Sequence, residues 1–379
     1  MPVPAASSAA CVCPDLGPAA SCIARPGQAC VSRLPKAHLH LHLTGGMRHA
    51  TLLDLAHERG LNLPERLTDP RPLHLDVEAD RRGWFAFQHL YDAARRVVDS
   101  PAVLQRLMLE MCTDERAEGS GWVELQVDPS GYAVTFGGAH AFLDALLDAA
   151  ATASETTGVG VGVIVAGNRT LHPLQSSTLA RLAAQYAPSS RWGRGSAGRG
   201  VVEVVGFGLS NDERRGAASQ FTQAFRIADA AGLSALPHAG ELAGAASVRS
   251  AVLDLGAVRV GHGVRAVEDP ETLELMASRS VAAEVCPTSN VALGVAVSVA
   301  DVPATLLRAA GVPVALGADD PLLFGSRLAA QYRLARDVWG CDDPALADLA
   351  ADSVAVSHAP SERRAALLQG ISDWLVERA

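Results

Sequence analysis

The chain is almost without lysine: of its 32 basic residues only Lys36 is one, and the rest are arginine. Basic residues are also outnumbered by acidic ones, which leaves a net charge of −9. A surface of that sign does not attract polyanions and argues against a nucleic-acid or anionic-membrane partner. No apolar run reaches the roughly 18 residues that a membrane span requires. The opening "MPVPAASSAACVCPDL" has neither a basic n-region nor a continuous apolar stretch, so no signal peptide is read and the cytoplasm is the expected address. The seven cysteines lack the C-x₂₋₄-C pairs of a zinc knuckle. Four of them, Cys11, Cys13, Cys22 and Cys30, crowd the leader and read as incidental thiols, because a disulfide set does not suit a reducing compartment.

What is present suits a large soluble core: 49% apolar and 19% charged residues over 379 positions. Residues 1–33 are rich in Ala, Pro, Ser and Cys without periodicity and read as a flexible tail. Residues 34–379 alternate short Val/Ala-rich runs with amphipathic stretches. The candidate strands are 36–42, 121–127, 159–166, 201–209, 233–238, 258–262, 281–286 and 312–318. Non-alternating apolar runs fit parallel strands covered on both faces. Eight such units predict a (β/α)₈ barrel, whose strand ends converge on one face to form the active site. A doubly wound sheet gives no reason for polar residues to close so many strands. Residues 51–120 form a helical excursion after the first strand. Its cluster "GWFAFQHLY" serves either as an apolar lid or as packing onto the barrel. "SSRWGRGSAGRG" (189–200) reads as a surface loop.

The segment "PKAHLHLHLTGG" places His38, His40 and His42 on one side of the first strand. His40 and His42 lie toward its C-terminal end, where His238 ("PHAGE"), His262 ("VGHG") and Asp319-Asp320 ("GADDP") arrive from strands five, six and eight. A histidine pair alone is equally compatible with a structural role. With His238 and Asp319 added, three imidazoles and a carboxylate suit one zinc ion and leave room for water. His38 lies one pleat deeper and is expected to be buried and not to ligate. Lys36 opens the same strand at the opposite end of the barrel, which excludes a lysine-bridged pair of metals. Glu241 is either a proton donor with a raised pKa or a carboxylate stabilised by a helix dipole. His262, between glycines, is placed to take a proton from a metal-bound water. Adjacent Asp319 and Asp320 are costly unless a cation or ligand offsets them.

From residue 34 onward the chain resembles the metal-dependent adenosine deaminase family of the amidohydrolase superfamily. The matching segments are "PKAHLHLHLTGGMR", "VVGFGLSNDE", "PHAGE", "RVGHGVRA", "EVCPTSNVALG" and "LGADDPLLFGSRLAAQY", in that order. The resemblance implies that His40, His42, His238 and Asp319 hold zinc. It further implies that Glu241 protonates the purine ring nitrogen beside the reacting carbon, that His262 orients or deprotonates the water, and that Asp320 bonds the imidazole-ring nitrogen. The implied reaction is attack of a metal-activated water on C6 with loss of ammonia, adenosine or deoxyadenosine giving the inosine product. Two positions depart from the family pattern. Thr44 stands where nucleoside-specific members carry an acid for the ribose 5′-hydroxyl, and Ser210-Asn211 replace an Ala-Gly pair near the pyrimidine ring. Thr44 and Asn211 are therefore expected to touch substrate, and a 5′-modified nucleoside such as aminodeoxyfutalosine, or adenine, competes with adenosine. A catalytically silent nucleoside-binding barrel is disfavoured by the intact ligand and proton-transfer positions. The H-x-E and P-C-x-x-C signature of nucleic-acid deaminases is missing.

Overall fold

A computed structural model describes residues 28–69, 71–75, 81–188 and 202–376. Eight parallel strands follow one another around the sheet: Lys36–His42 (β1), Ser120–Val127 (β2), Gly160–Asn168 (β3), Glu203–Ser210 (β4), Ser234–Ala239 (β5), Arg259–His262 (β6), Ala282–Val285 (β7) and Val314–Leu316 (β8). β8 returns to β1 through a bridge between Leu41 and Asp319. There His42 N donates to Asp319 O at 3.2 Å and Asp319 N donates to His40 O at 3.0 Å. The barrel expectation holds, and most strand ends agree with the sequence to within two residues. The last strand is shorter than expected because the chain turns out of it, with Asp319 in the left-handed region at φ 61°.

Alternation along the strands explains what faces what. Val161, Val163 and Val165 of β3 join one apolar cluster with Phe142, Leu143, Leu146 and Leu147 of the helix Ala139–Thr157. Each fully buried side chain of this size is worth about 1.5–3 kcal/mol. The opposite parity brings Ile164, Val205 and Leu236 together as a separate small cluster. Elsewhere the interior carries charge: Glu124, Arg259 and Glu284 are all buried.

The excursion after β1 contains the helices His49–Glu58, Glu65–Thr68, Arg81–Arg95 and Pro101–Ala117. Both readings of its aromatics apply: Trp84, Phe87 and Tyr91 line the main cavity, while Phe87 also stacks on Phe324 with ring centroids 5.8 Å apart. Phe85 faces outward beneath Arg215. The 189–200 loop and residues 1–27 lie outside the described residues. The end of the expected tail is packed: Val31 and Leu34 are buried, Trp374 Nε1 donates to Cys30 O at 3.1 Å, and Lys36 Nζ donates to Val31 O at 2.9 Å and Glu118 O at 2.6 Å. Cys30, read as an incidental thiol, is disulfide-bonded. Among the described residues no helix is long and apolar enough to cross a membrane.

Candidate active site

At the C-terminal ends of the strands, His40, His42, His238 and Asp319 each offer one atom, and these atoms all lie within 4.8 Å of one another. Asp319 Oδ1 is 3.1 Å from His42 Nε2 and 3.5 Å from His40 Nε2. Its other oxygen accepts from Ser289 Oγ at 2.6 Å. His40 is held through Nδ1, 2.8 Å from Glu284 Oε2, and its Nε2 is buried without a hydrogen-bond partner. Glycine makes the room: a β-carbon on Gly261 would meet His40 Cε1 at 2.8 Å, and one on Gly317 would meet His40 Cβ at 2.7 Å. Burial works against charge on His40, yet the nearby Asp319 carboxylate and the hydrogen bond to Glu284 outweigh it and raise its pKa to about 10. His238 moves well below the usual range through burial and the proximity of His40 and His42. The pocket thus favours positive charge at a point where several lone pairs converge, which a metal cation supplies without straining the ligands. An orphaned imidazole nitrogen within an N₃O set fits zinc.

His38 does not join this set. Ala318 N donates to its Nε2 at 3.0 Å, and its Nδ1 is 2.8 Å from Glu115 Oε1, so both nitrogens are occupied.

Glu241, His262 and Asp319 form a second tight group, with His262 Nε2 3.5 Å from Glu241 Oε1. Burial, then the negative charges of Asp319 and Glu213, push the Glu241 carboxyl well above the ordinary value. Burial, then His40, lowers His262 to about 3. The buried pair therefore sets a carboxyl that holds its proton more tightly than usual beside an imidazole whose charged form is disfavoured. Asp320 is also pushed well up by burial and by Asp319, and its Oδ1 is buried without a partner. Both Asp319 and His262 have left-handed backbones, at φ 61° and 62°. That strain is borne at the reacting end of the site.

Several supporting residues were not assigned roles from sequence. Glu284 joins His40 to Arg259, whose Nε donates to Glu284 Oε1 at 2.6 Å and whose other arm pairs with Glu124. The Asn290 amide lies 3.2 Å from His262 Nδ1. Gln126 Nε2 lies 3.4 Å from His238 Nδ1. Ser289, Asn290 and Glu284 fall inside "EVCPTSN", so their proximity to the site was signalled by the motif. Arg259 opens "RVGHGVRA" and was signalled in the same way, whereas Glu124 carried no local signal.

Beyond this end the cavity opens into about 730 Å³ of space lined by Trp84, Phe87, Tyr91, Arg95, Asp128 and Tyr132, among others. Thr44 is not on this wall. It is fully buried, and its hydroxyl is 2.7 Å from the OH of Tyr132, the tyrosine that lines the cavity. Asn211 does line the cavity, but its amide is committed elsewhere. Oδ1 accepts from Trp84 Nε1 at 3.0 Å and from Asp212 N at 2.7 Å, and Nδ2 donates to Gln88 Oε1 at 2.9 Å. Its φ of 78° suits the Ala-Gly pattern it replaces, since asparagine tolerates this region better than most side chains.

Comparison with known proteins agrees with this geometry. The family model described as adenosine deaminase matches residues 35–374. A Streptomyces coelicolor protein named putative adenosine/adenine deaminase is 55% identical over 349 residues, spanning 91% of this chain and 98% of its own length. An aminodeoxyfutalosine deaminase of the same organism is 33% identical, over 91% of this chain and 86% of that one. Among solved structures, the adenine deaminase of Arthrobacter aurescens superposes with a TM-score of 0.79 at 28% identity, covering 90% of this chain and 99% of the other.

Proposed function

Because the chain belongs to the adenosine deaminase family, hydrolases that cleave the exocyclic C–N bond of cyclic amidines, we propose that it is zinc-dependent and converts adenosine and deoxyadenosine, with water, to the inosine product and ammonia. One zinc per chain is held by His40, His42, His238 and Asp319. When bound, the ion supplies a Lewis acid that makes water nucleophilic near neutral pH.

The remaining steps belong to the chain's own residues. Glu241, kept protonated by its surroundings, donates to the ring nitrogen beside C6 and makes that carbon electrophilic. His262, neutral because its pKa is depressed, accepts a proton from the attacking water and passes it toward the departing amino group. The Asn290 side chain, 3.2 Å from Nδ1, fixes the orientation of the His262 ring. Asp320, protonated with an unpartnered Oδ1, donates to the imidazole-ring nitrogen and fixes the purine. Trp84, Phe87 and Tyr91 cover the base and exclude water. The observation that carries this reading is the pairing of the buried acid Glu241 with the buried neutral base His262 beside an imidazole–carboxylate cluster.

A second reading, a 5′-modified adenine nucleoside such as aminodeoxyfutalosine, draws on two features. No acid stands at Thr44, and Arg95 is the only arginine or lysine on the described cavity wall. Adenine is the third candidate, given the Arthrobacter structure. Ammonia release from adenosine, deoxyadenosine, adenine and a 5′-carboxylated adenosine ranks the three. Adenosine or deoxyadenosine is expected to give the largest kcat/KM, and a preference of about tenfold or more for either of the others overturns the primary reading. Glu241→Gln is expected to retain zinc and lose nearly all turnover. A near-normal rate removes Glu241 from its role as the acid.

A further inference from the structure

The end of β5 and the turn that follows it carry two of the proposed functional groups, His238 and Glu241, and two buried side chains of opposite charge grip this stretch of backbone. Glu213, just beyond β4, accepts four backbone N–H bonds: Gly240 at 2.7 Å on Oε1, and Glu241, Leu242 and Ala243 at 3.0, 2.8 and 2.9 Å on Oε2. Arg169, just beyond β3, donates to the His238 carbonyl oxygen and, at 3.2 Å, to Gly216 O. Both side chains are buried, and neither touches the cavity. Hydrogen bonds to ionised groups are about twice as strong as neutral ones. A carboxylate collecting four N–H donors fixes the peptide planes on which Glu241 is mounted.

We infer that Glu213 and Arg169 are positioning residues for the deamination proposed above. Arg169 fixes the peptide that bears His238, and Glu213 fixes the one that bears Glu241. The two act on different functions. Loosening the Arg169 end moves a metal ligand, whereas loosening the Glu213 end moves the acid and leaves the ligand set alone. The inference rests on the deaminase reading for its kinetic part only.

The test uses the full-length chain and two mild variants. Glu213→Gln keeps size and one acceptor oxygen, but its amide nitrogen cannot accept the N–H bonds at the other end. Arg169→Lys keeps the charge but loses the fork. Three quantities are measured: zinc retained after a fixed exposure to chelator, melting temperature, and kcat and KM with adenosine. Glu213→Gln is expected to retain zinc as the unaltered chain does and to melt within a few degrees of it. Its kcat is expected to fall roughly 10²-fold, the cost of an ångström-scale misplacement, while KM changes by less than about threefold. Arg169→Lys is expected to lose zinc at roughly ten- to a hundredfold lower chelator concentration. Wild-type kcat in the first variant together with wild-type zinc retention in the second overturns the inference. So does parallel loss of zinc, melting temperature and kcat in Glu213→Gln, which marks a general structural role. If the unaltered chain releases no ammonia from any tested purine, the deaminase reading fails instead, and zinc retention in Arg169→Lys still judges the Arg169 half.

Discussion

A β-carbon on Gly45 would fall 1.7 Å from Asp320 Oδ1, so this glycine is required by space. Gly45→Ala must displace the carboxyl that we assign to the purine. The expected result is a rise in KM and a fall in kcat together, at least about tenfold in kcat/KM, with zinc retained. Glu241 gives a second prediction. Burial, Asp319 and Glu213 raise its pKa, and an acid catalyst works only while protonated. Activity should therefore fall as pH rises through that raised value, as a pH profile of kcat/KM in a constant-ionic-strength buffer series would record. Residue identities at strand ends were legible from spacing, because alternation dictates which histidines share a side. Side-chain direction at Thr44 was not: its hydroxyl serves Tyr132, 88 positions away, and no local pattern encodes that partner.

Between elements, the clearest coupling is Asn211, which ties the end of β4 to Trp84 and Gln88 of the helix Arg81–Arg95. Asn211→Gly keeps the left-handed backbone and removes the tie. KM is expected to rise several-fold with little change in melting temperature, since the barrel itself is untouched. At the other end of the barrel, burial lowers Lys36 from 10.5 to about 7, against the opposing attraction of Glu118 and Glu115. Between those values the unfolded chain binds a proton that the folded chain does not, so stability rises with pH across this window. Melting temperature measured from pH about 7 to about 10 should climb more steeply for the natural chain than for Lys36→Met. Strand positions were readable from Val/Ala runs, but the ties between elements were not. Arg169, Glu213 and Arg259 find partners 25 or more positions away, and a charged residue beside a strand looks the same whether it faces solvent or a buried carbonyl.

For the molecule as a whole, the (β/α)₈ architecture followed from counting alternations, while the disulfide at Cys30 and the packing of residues 28–34 did not, because neither leaves a periodic trace. Four donors facing one point, three of them on buried residues, also predict a global effect of metal removal. Exhaustive chelation should lower the melting temperature by several degrees, since a ligand at 1,000 times its Kd contributes about 4 kcal/mol, and one equivalent of zinc should restore both melting temperature and ammonia release. The seam of the barrel has a further consequence in time. Asp319 closes the sheet by bonding to His40 and His42 through its backbone, and its side chain would complete the cage of the ion proposed above. The third imidazole, at position 238, is made when somewhat under two thirds of the 379 residues have been joined, yet the carboxylate at position 319 follows only after most of the chain. On that assignment, tight capture of the ion would be coupled to the ring's closing, and a nascent chain stalled before that point would have no finished site in which to trap a wrong metal.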